Sequence, residues 1–240
     1  MKRLEGKIAL ITGGGSGIGR GIALALADEG VWIFVCGRRV DRIEETVRQV
    51  HARGGCAQAI QADVSVDKDI ERLVETVYSA SGRIDILVNN AGLFDGGPLG
   101  ELGVDVWDRV LNTNLRAPFL LTRAVLPAMR QQHGGQIINI SSESGIEYYP
   151  GDTAYGVSKH ALNDFGVFVQ REVQEDNIRV NTICPGMVVT EMTETSPGLD
   201  HSRCLYPEDI ADLVIWLLTR RENIKIGTPI LIQTMLNPWE

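Results

Sequence analysis

The chain is poor in the residues that build disulfide frames and metal centres. Cys36, Cys56, Cys184 and Cys204 are scattered through 240 residues with no C-x-x-C among them. That pattern argues against a disulfide scaffold or a zinc site, and it fits reduced thiols in a cytoplasmic protein. His51, His133, His160 and His201 are equally dispersed, so no metal ligand set is expected. Long apolar runs are missing as well: none approaches the roughly 20 residues needed to span a bilayer. The opening MKRLEGKIALITGGG has basic residues and an apolar run. Glycines break that run early and no small-residue cleavage site follows, which argues against a signal peptide. Positive charge is in deficit, with 23 Lys+Arg against 31 Asp+Glu, a net charge of −8 and no basic cluster. Neither nucleic acid nor an anionic membrane is expected as a partner. No linker, repeat or low-complexity stretch interrupts the chain, so a single domain over residues 1–240 is the simplest reading.

What is present is average for a well-packed globule, 44% hydrophobic and 22% charged. Short apolar runs alternate with amphipathic segments. KIALIT (7–12), VWIFVCG (31–37), CAQAIQADV (56–64), IDILVNNAG (84–92), GGQIINISS (134–142), IRVNTICPG (178–186) and PILIQT (229–234) read as strands. Between them, helical spacing covers 17–30, 40–55, 67–82 with Asp67 as N-cap, 104–132, about 152–176, and 207–219 with Pro207 near its start. Strict alternation of strand and helix implies an α/β fold, a doubly wound parallel sheet of Rossmann-like type with helices on both faces. A ligand is then expected outside the carboxyl ends of the strands, where the strand order switches.

The first strand runs into TGGGSGIG, residues 12–19. No strict G-x-G-x-x-G fits, but glycines there let the chain turn tightly and let a pyrophosphate approach. The following helix N-terminus offers unpaired N–H groups to phosphate. Gly13, Gly15, Ser16, Gly17, Ile18 and Gly19 are the expected contacts. An acid after the second strand would select NAD through its ribose hydroxyls. The segment CGRRV holds Arg38 and Arg39 instead. A guanidinium fork suits a 2′-phosphate, so NADP(H) is expected over NAD(H), with Arg38 its first partner and Arg39 its second.

In AYGVSKHAL, Tyr155 precedes Lys159 by four residues, one turn on a common helix face. That spacing alone fits a proton-handling pair and an ordinary surface pair equally well. Six further motifs stand with it in order: TGGGSGIG, ADV at Asp63, NNAG at 89–92, NTN ending at Asn114, SS at 141–142 and NTICPGMVVT at 181–190. Together they resemble the short-chain dehydrogenase/reductases of about 250 residues, from about Lys7 to Ile232. The resemblance implies a catalytic set of Asn114, Ser142, Tyr155 and Lys159. It also implies cofactor contacts from Asp63 and Val64 toward adenine, from Asn90, Ala91 and Gly92 beside the ribose, and from Pro185, Gly186, Val188 and Thr190 near the nicotinamide. Ser142 is favoured over Ser141 because its spacing to Tyr155 matches the family and adjacent strand residues face opposite ways.

In that scheme Tyr155 exchanges the substrate proton while the cofactor exchanges the hydride. Lys159, with the charge of an oxidised nicotinamide, lowers the phenol's pKa from about 10 and holds the ribose hydroxyls. Ser142 donates to the substrate oxygen, and Asn114 holds a water on the path from Lys159 to solvent. Substrate choice falls to the residues after Ser142, to EYYPG, and to the short polar segment after Pro185. Glu143, Glu147, Glu191 and Glu194 add acidity there. A small polar alcohol or carbonyl is the expected substrate; the alternatives are a 3-oxoacyl thioester, or no reaction at all in an NADP-binding regulator. The tail IKIGTPILIQTMLNPWE departs from the family's aspartate and paired-glycine ending. A homodimer or homotetramer through 104–132 and 152–176 is expected.

Overall fold

The computed structural model describes residues 2–221 and 223–240. Seven parallel strands form one sheet in the order β3-β2-β1-β4-β5-β6-β7. They are β1 (Ile8–Thr12), β2 (Trp32–Gly37), β3 (Cys56–Gln61), β4 (Ile86–Asn89), β5 (Gly135–Ile140), β6 (Ile178–Pro185) and β7 (Ile230–Ile232). The helices are α1 (Gly17–Asp28), α2 (Val40–Ala52), α3 (Asp67–Ser81), α4 (Val104–Leu111), α5 (Ala117–Gln131), α6 (Thr153–Val173) and α7 (Pro207–Leu218). The order reverses between β1 and β4, where the chain winds away in both directions.

Continuous apolar strands follow from burial on both sheet faces. Ala9, Ile11, Ile33, Val35, Ile86 and Val88 pack against α1, α2 and α7 through Ile22, Leu26, Ile43 and Val214. Their neighbours Ile8, Leu10, Phe34 and Leu87 point the other way, to Leu73 and Val77 of α3, Val125 of α5 and Val169 of α6. Each fully buried aliphatic side chain contributes about 1.5–3 kcal/mol, so two apolar layers hold the sheet edge to edge.

The structure revises the helix starts in two places. Val66 occupies the N-cap of α3 and Asp67 is the first helical residue, with no side-chain cap. Asp67 instead binds Arg116, through Oδ2 and Nη2 at 2.6 Å. Its charge still lies at the favourable end of the helix dipole. The amphipathic region 104–132 divides at a π turn, Asn112–Arg116, that joins α4 to α5. Such turns widen a helix by one residue and are common at functional sites; this one carries Asn114, fully buried.

Helix α6 lies flush on β5 and β6 at Gly166. A Cβ there would collide with the Thr182 hydroxyl and stand 3.2 Å from Asn139 Nδ2. Gly166→Ala is expected to cost about 1–3 kcal/mol in urea unfolding through overpacking; an unchanged midpoint would show that the helix is not seated this closely.

Candidate active site

The carboxyl ends of β1, β2, β4 and β5 open into a cleft of about 440 Å³. Gly13, Gly15, Ser16, Gly17, Ile18, Arg38, Arg39, Asp63, Val64, Asn90, Ala91, Gly92, Tyr155, Lys159 and Thr190 line it. Gly13 and Thr190, 177 positions apart in sequence, therefore share one wall. Gly19, Asn114, Ser142, Pro185, Gly186 and Val188 are not among the lining residues, whereas Ser141 is. Gly19 packs so tightly that a Cβ would lie 2.5 Å from Asn90 Nδ2 and from the Gly13 carbonyl. Val188 is buried in a bridge to Leu205. Gly186, expected as a wall beside the nicotinamide, donates its N–H to the Ile232 carbonyl at 2.8 Å. Gln233 and Glu143 cover it, both within 3.1 Å of where a Cβ would be. The C-terminal segment after β7 thus closes that side, with Gln233 Nε2 donating to Glu143 Oε2 at 2.7 Å.

The glycine loop meets the requirements of a phosphate. Gly13 and Gly17 have φ of +64° and +49°, which side chains rarely adopt. The carbonyls are tied away from the cleft: Thr46 Oγ1 donates to Gly14 O at 2.8 Å, and Arg20 Nη2 donates to Gly15 O. Helix α1 has no side-chain cap and no acid in its first turn, so its leading N–H groups are available to an anion. Arg20 and Thr46 were invisible to sequence reading because their role depends on α1 and α2 packing side by side.

At the end of β2 the two arginines differ. Arg38 is exposed, and only its backbone carbonyl is engaged, accepting from Gln61 Nε2 at 3.2 Å. Arg39 Nη2 donates to Glu191 Oε2 at 2.6 Å and to Ser16 Oγ at 3.4 Å. Arg42, another residue the sequence reading passed over, reaches Glu191 Oε1 at 3.3 Å. Glu191, expected near the substrate mouth, sits at the arginine end instead. Asp63 Oδ1 accepts from Ser65 N at 2.9 Å and Ser65 Oγ at 2.7 Å, a local turn within the cleft wall.

Tyr155 and Lys159 lie one turn apart on α6, 9% and 3% exposed. Lys159 Nζ stands 5.5 Å from the Tyr155 ring centroid and donates to the Ile140 carbonyl at 3.0 Å. Phe94 packs edge-on against the phenol ring at 5.1 Å. The Ser142 hydroxyl bonds to Tyr155 and favours its ionised form. Ser141 turns the other way and donates to the Lys159 carbonyl at 3.2 Å.

The electrostatics reverse the expected sign. Burial pushes Tyr155 up to about 12, and the charges of Asp152 and Glu143 add to it. Burial also brings Lys159 down to about 8. In the chain alone burial works against the charged form of each group, yet at about 8 Lys159 still carries its proton at neutral pH. Asn114 is held by three side-chain hydrogen bonds. Its Oδ1 accepts from Leu93 N at 2.8 Å, and its Nδ2 donates to Leu93 O at 2.9 Å and Ser158 Oγ at 3.0 Å. The side chain is occupied in fixing the peptide after Gly92.

A second cavity, about 530 Å³, lies at the opposite ends of the strands. Its Arg179 donates to the carbonyls of Arg220 and Arg221 at 3.2 and 3.0 Å, serving the end of α7. Among the described residues no group of three or more His, Cys, Asp or Glu could hold a metal ion, and no helix is long and apolar enough to cross a membrane.

Comparison with known proteins accounts for this arrangement. The family model for short chain dehydrogenases matches residues 7–198. An uncharacterised oxidoreductase of Staphylococcus aureus (strain MRSA252) is 31% identical over 227 residues, 95% of this chain and 97% of the relative. A metagenomic short-chain oxidoreductase solved in complex with NADP is 34% identical, with a TM-score of 0.86 over 98% of this chain and all of that one. A variant actinorhodin polyketide ketoreductase with NADPH is also 34% identical, with a TM-score of 0.84 over 88% of this chain and 90% of its own. The glycine loop, the parallel sheet and these likenesses agree, and the chain belongs to the short-chain dehydrogenase/reductase family of oxidoreductases.

Proposed function

We propose that the protein binds NADP(H) and reduces a small polar carbonyl compound to its alcohol, the reverse reaction using the same groups. The observation that carries this reading is the meeting of a buried Tyr155 and Lys159 on the wall that the phosphate-binding loop also forms. The first α1 turn and the glycine loop would hold the pyrophosphate, Arg38 and Arg39 the 2′-phosphate, and Asp63 and Val64 the adenine. The two neighbours solved with NADP or NADPH support that choice. When bound, the cofactor supplies or accepts the hydride.

The chain's own residues handle the proton. As the carbonyl carbon gains hydride, its oxygen takes the proton from Tyr155 Oη, and Ser142 Oγ steadies that oxygen. A phenol kept up at about 12 is held in the proton-donating form, which suits the reductive direction. The phenolate left behind stands near Lys159 Nζ, and its negative charge favours the ammonium form. The mouth is polar: Tyr149 and Asp152 are each pushed up by burial, and Glu143 and Glu147 add negative charge around Tyr149. The polyketide ketoreductase neighbour favours a second reading, a 3-oxoacyl thioester substrate. Reduction of acetoacetyl thioesters but not of free ketones and aldehydes would establish that reading over the first.

Tyr155→Phe should lower turnover by about 10²–10⁴-fold while the Kd for NADPH stays that of the parent; full activity would refute the role. Lys159 gives a test on stability. Its folded pKa of about 8 lies below the ordinary 10.5, so between those values the unfolded chain binds more protons. Stability therefore rises with pH across that window, and below it the whole penalty remains. The gap corresponds to ~3 kcal/mol, offset by about 1 kcal/mol for the lost bond to Ile140. Lys159→Met should lose activity yet be more stable by about 2 kcal/mol at pH 7, with the advantage closing toward pH 10.5. Urea titrations at both pH values decide it, and a less stable variant at pH 7 would overturn the buried-cation account.

A further inference from the structure

Glu191 has no place in the chemistry above, yet it stands in the cofactor cleft with both carboxylate oxygens on arginines. It lies on the segment between β6 and α7, 152 residues from Arg39 in sequence. Oε2 accepts from Arg39 Nη2 at 2.6 Å, and Oε1 faces Arg42 Nη2 at 3.3 Å. Arg39 holds Glu191 below the usual carboxylate range, with Arg42 and Ser16 acting in the same direction. All four side chains line the cleft beside the end of β2. This is where a Rossmann fold reads the 2′ position of the adenosine ribose.

A carboxylate and a phosphate offer the same acceptor face to a guanidinium fork. Two such anions cannot share one fork without repelling each other. We infer that Glu191 is an internal anion occupying the Arg39 site, displaced when a 2′-phosphate arrives and left in place by a 2′-hydroxyl. The inference rests on the NADP(H) reading and adds a specificity-determining residue to it. Arg38, whose guanidinium holds no described carboxylate, takes the 2′-phosphate first; Arg39 joins only after releasing Glu191. The carboxylate thus narrows the discrimination between NADP(H) and NAD(H) that the arginine pair would otherwise give. The side chains of Arg39 and Glu191 are 54% and 38% exposed. Exchange at such a pair changes affinity by about two- to fivefold.

Binding, read by titration calorimetry on the full chain, tests this without turnover. The probes are 2′,5′-ADP, 5′-AMP, NADPH and NADH. Glu191→Gln should tighten 2′,5′-ADP and NADPH by about two- to fivefold and leave 5′-AMP and NADH unchanged. The gain should vanish in the Arg39→Ala background. Equal changes for phosphorylated and unphosphorylated ligands would make Glu191 a simple clasp and overturn the inference, as would weaker NADPH binding. If neither Arg38→Ala nor Arg39→Ala weakens 2′,5′-ADP, the NADP(H) reading itself fails. If Arg38→Ala alone weakens it, that reading stands and only the role of Glu191 is lost.

Discussion

Both halves of the cleft depend on the clasp between Thr12 and Asn90. At the switch in strand order, β1 and β4 send their chains in opposite directions, and the last backbone groups lose their ladder partners. The Thr12 hydroxyl accepts from Asn90 N and Ala91 N, each at 3.0 Å, and Asn90 Nδ2 donates to Thr12 O at 2.9 Å and Gly13 O at 3.2 Å. The contact takes up the N–H groups of Asn90 and Ala91 and the carbonyls of Thr12 and Gly13. The clasp sets the height of the glycine loop above the sheet, and Gly19 fits against its amide only because it lacks a Cβ. It also launches the chain through Gly92, whose missing Cβ would lie 3.6 Å from Lys159 Nζ. Sheet register is thereby converted into the distance between the phosphate cradle and the ionisable pair.

That pair is costly for the same reason that it is useful. Burial disfavours the phenolate on Tyr155 and the ammonium on Lys159 together. Two neutral groups avoid the penalty separately; a phenolate beside an ammonium offsets part of it by mutual attraction. With Tyr155 up at about 12 and Lys159 down at about 8, a neutral phenol faces an ammonium at neutral pH. A fully solvated pair would be screened and would gain little from proximity. Phe94 against the phenol contributes to the burial of Tyr155.

The sheet was legible in the sequence because apolar runs buried on both faces have a simple signature, and the glycine loop because no other residue tolerates its turns. The Tyr155 and Lys159 pairing was legible from helical spacing. What escaped has a common cause in contacts made across the fold. Hydrophobic spacing continues through Asn112–Arg116, so nothing local marks the π turn. Val66 offers no capping side chain, and Asp67 was the natural choice until Arg116, 49 residues away, claimed it. The rise of the Tyr155 pKa follows from depth of burial, which the neighbouring lysine could not reveal. Arg20, Thr46 and Arg42 read as ordinary helix-surface residues until α1 and α2 are brought together.

The segment between β6 and α7 shows how the two ends of the cleft are joined. Its roots are pinned by main-chain bonds: Gly186 N to Ile232 O, and Val189 N to Leu205 O with Leu205 N to Met187 O, each at 2.8 Å. Between those roots, residues 191–200 are all exposed or half-buried and bury no core side chain. Segments with few buried apolar contacts lie at the low end of local stability. The displacement of Glu191 that we infer falls in a stretch that costs little to rearrange, while Gly186 is held by its main-chain bond to Ile232. On the proposed reading, the fold separates an adjustable adenosine end from a pinned reacting end, the division a hydride-transfer site needs if alignment at the carbonyl is to survive changes in how the cofactor is held.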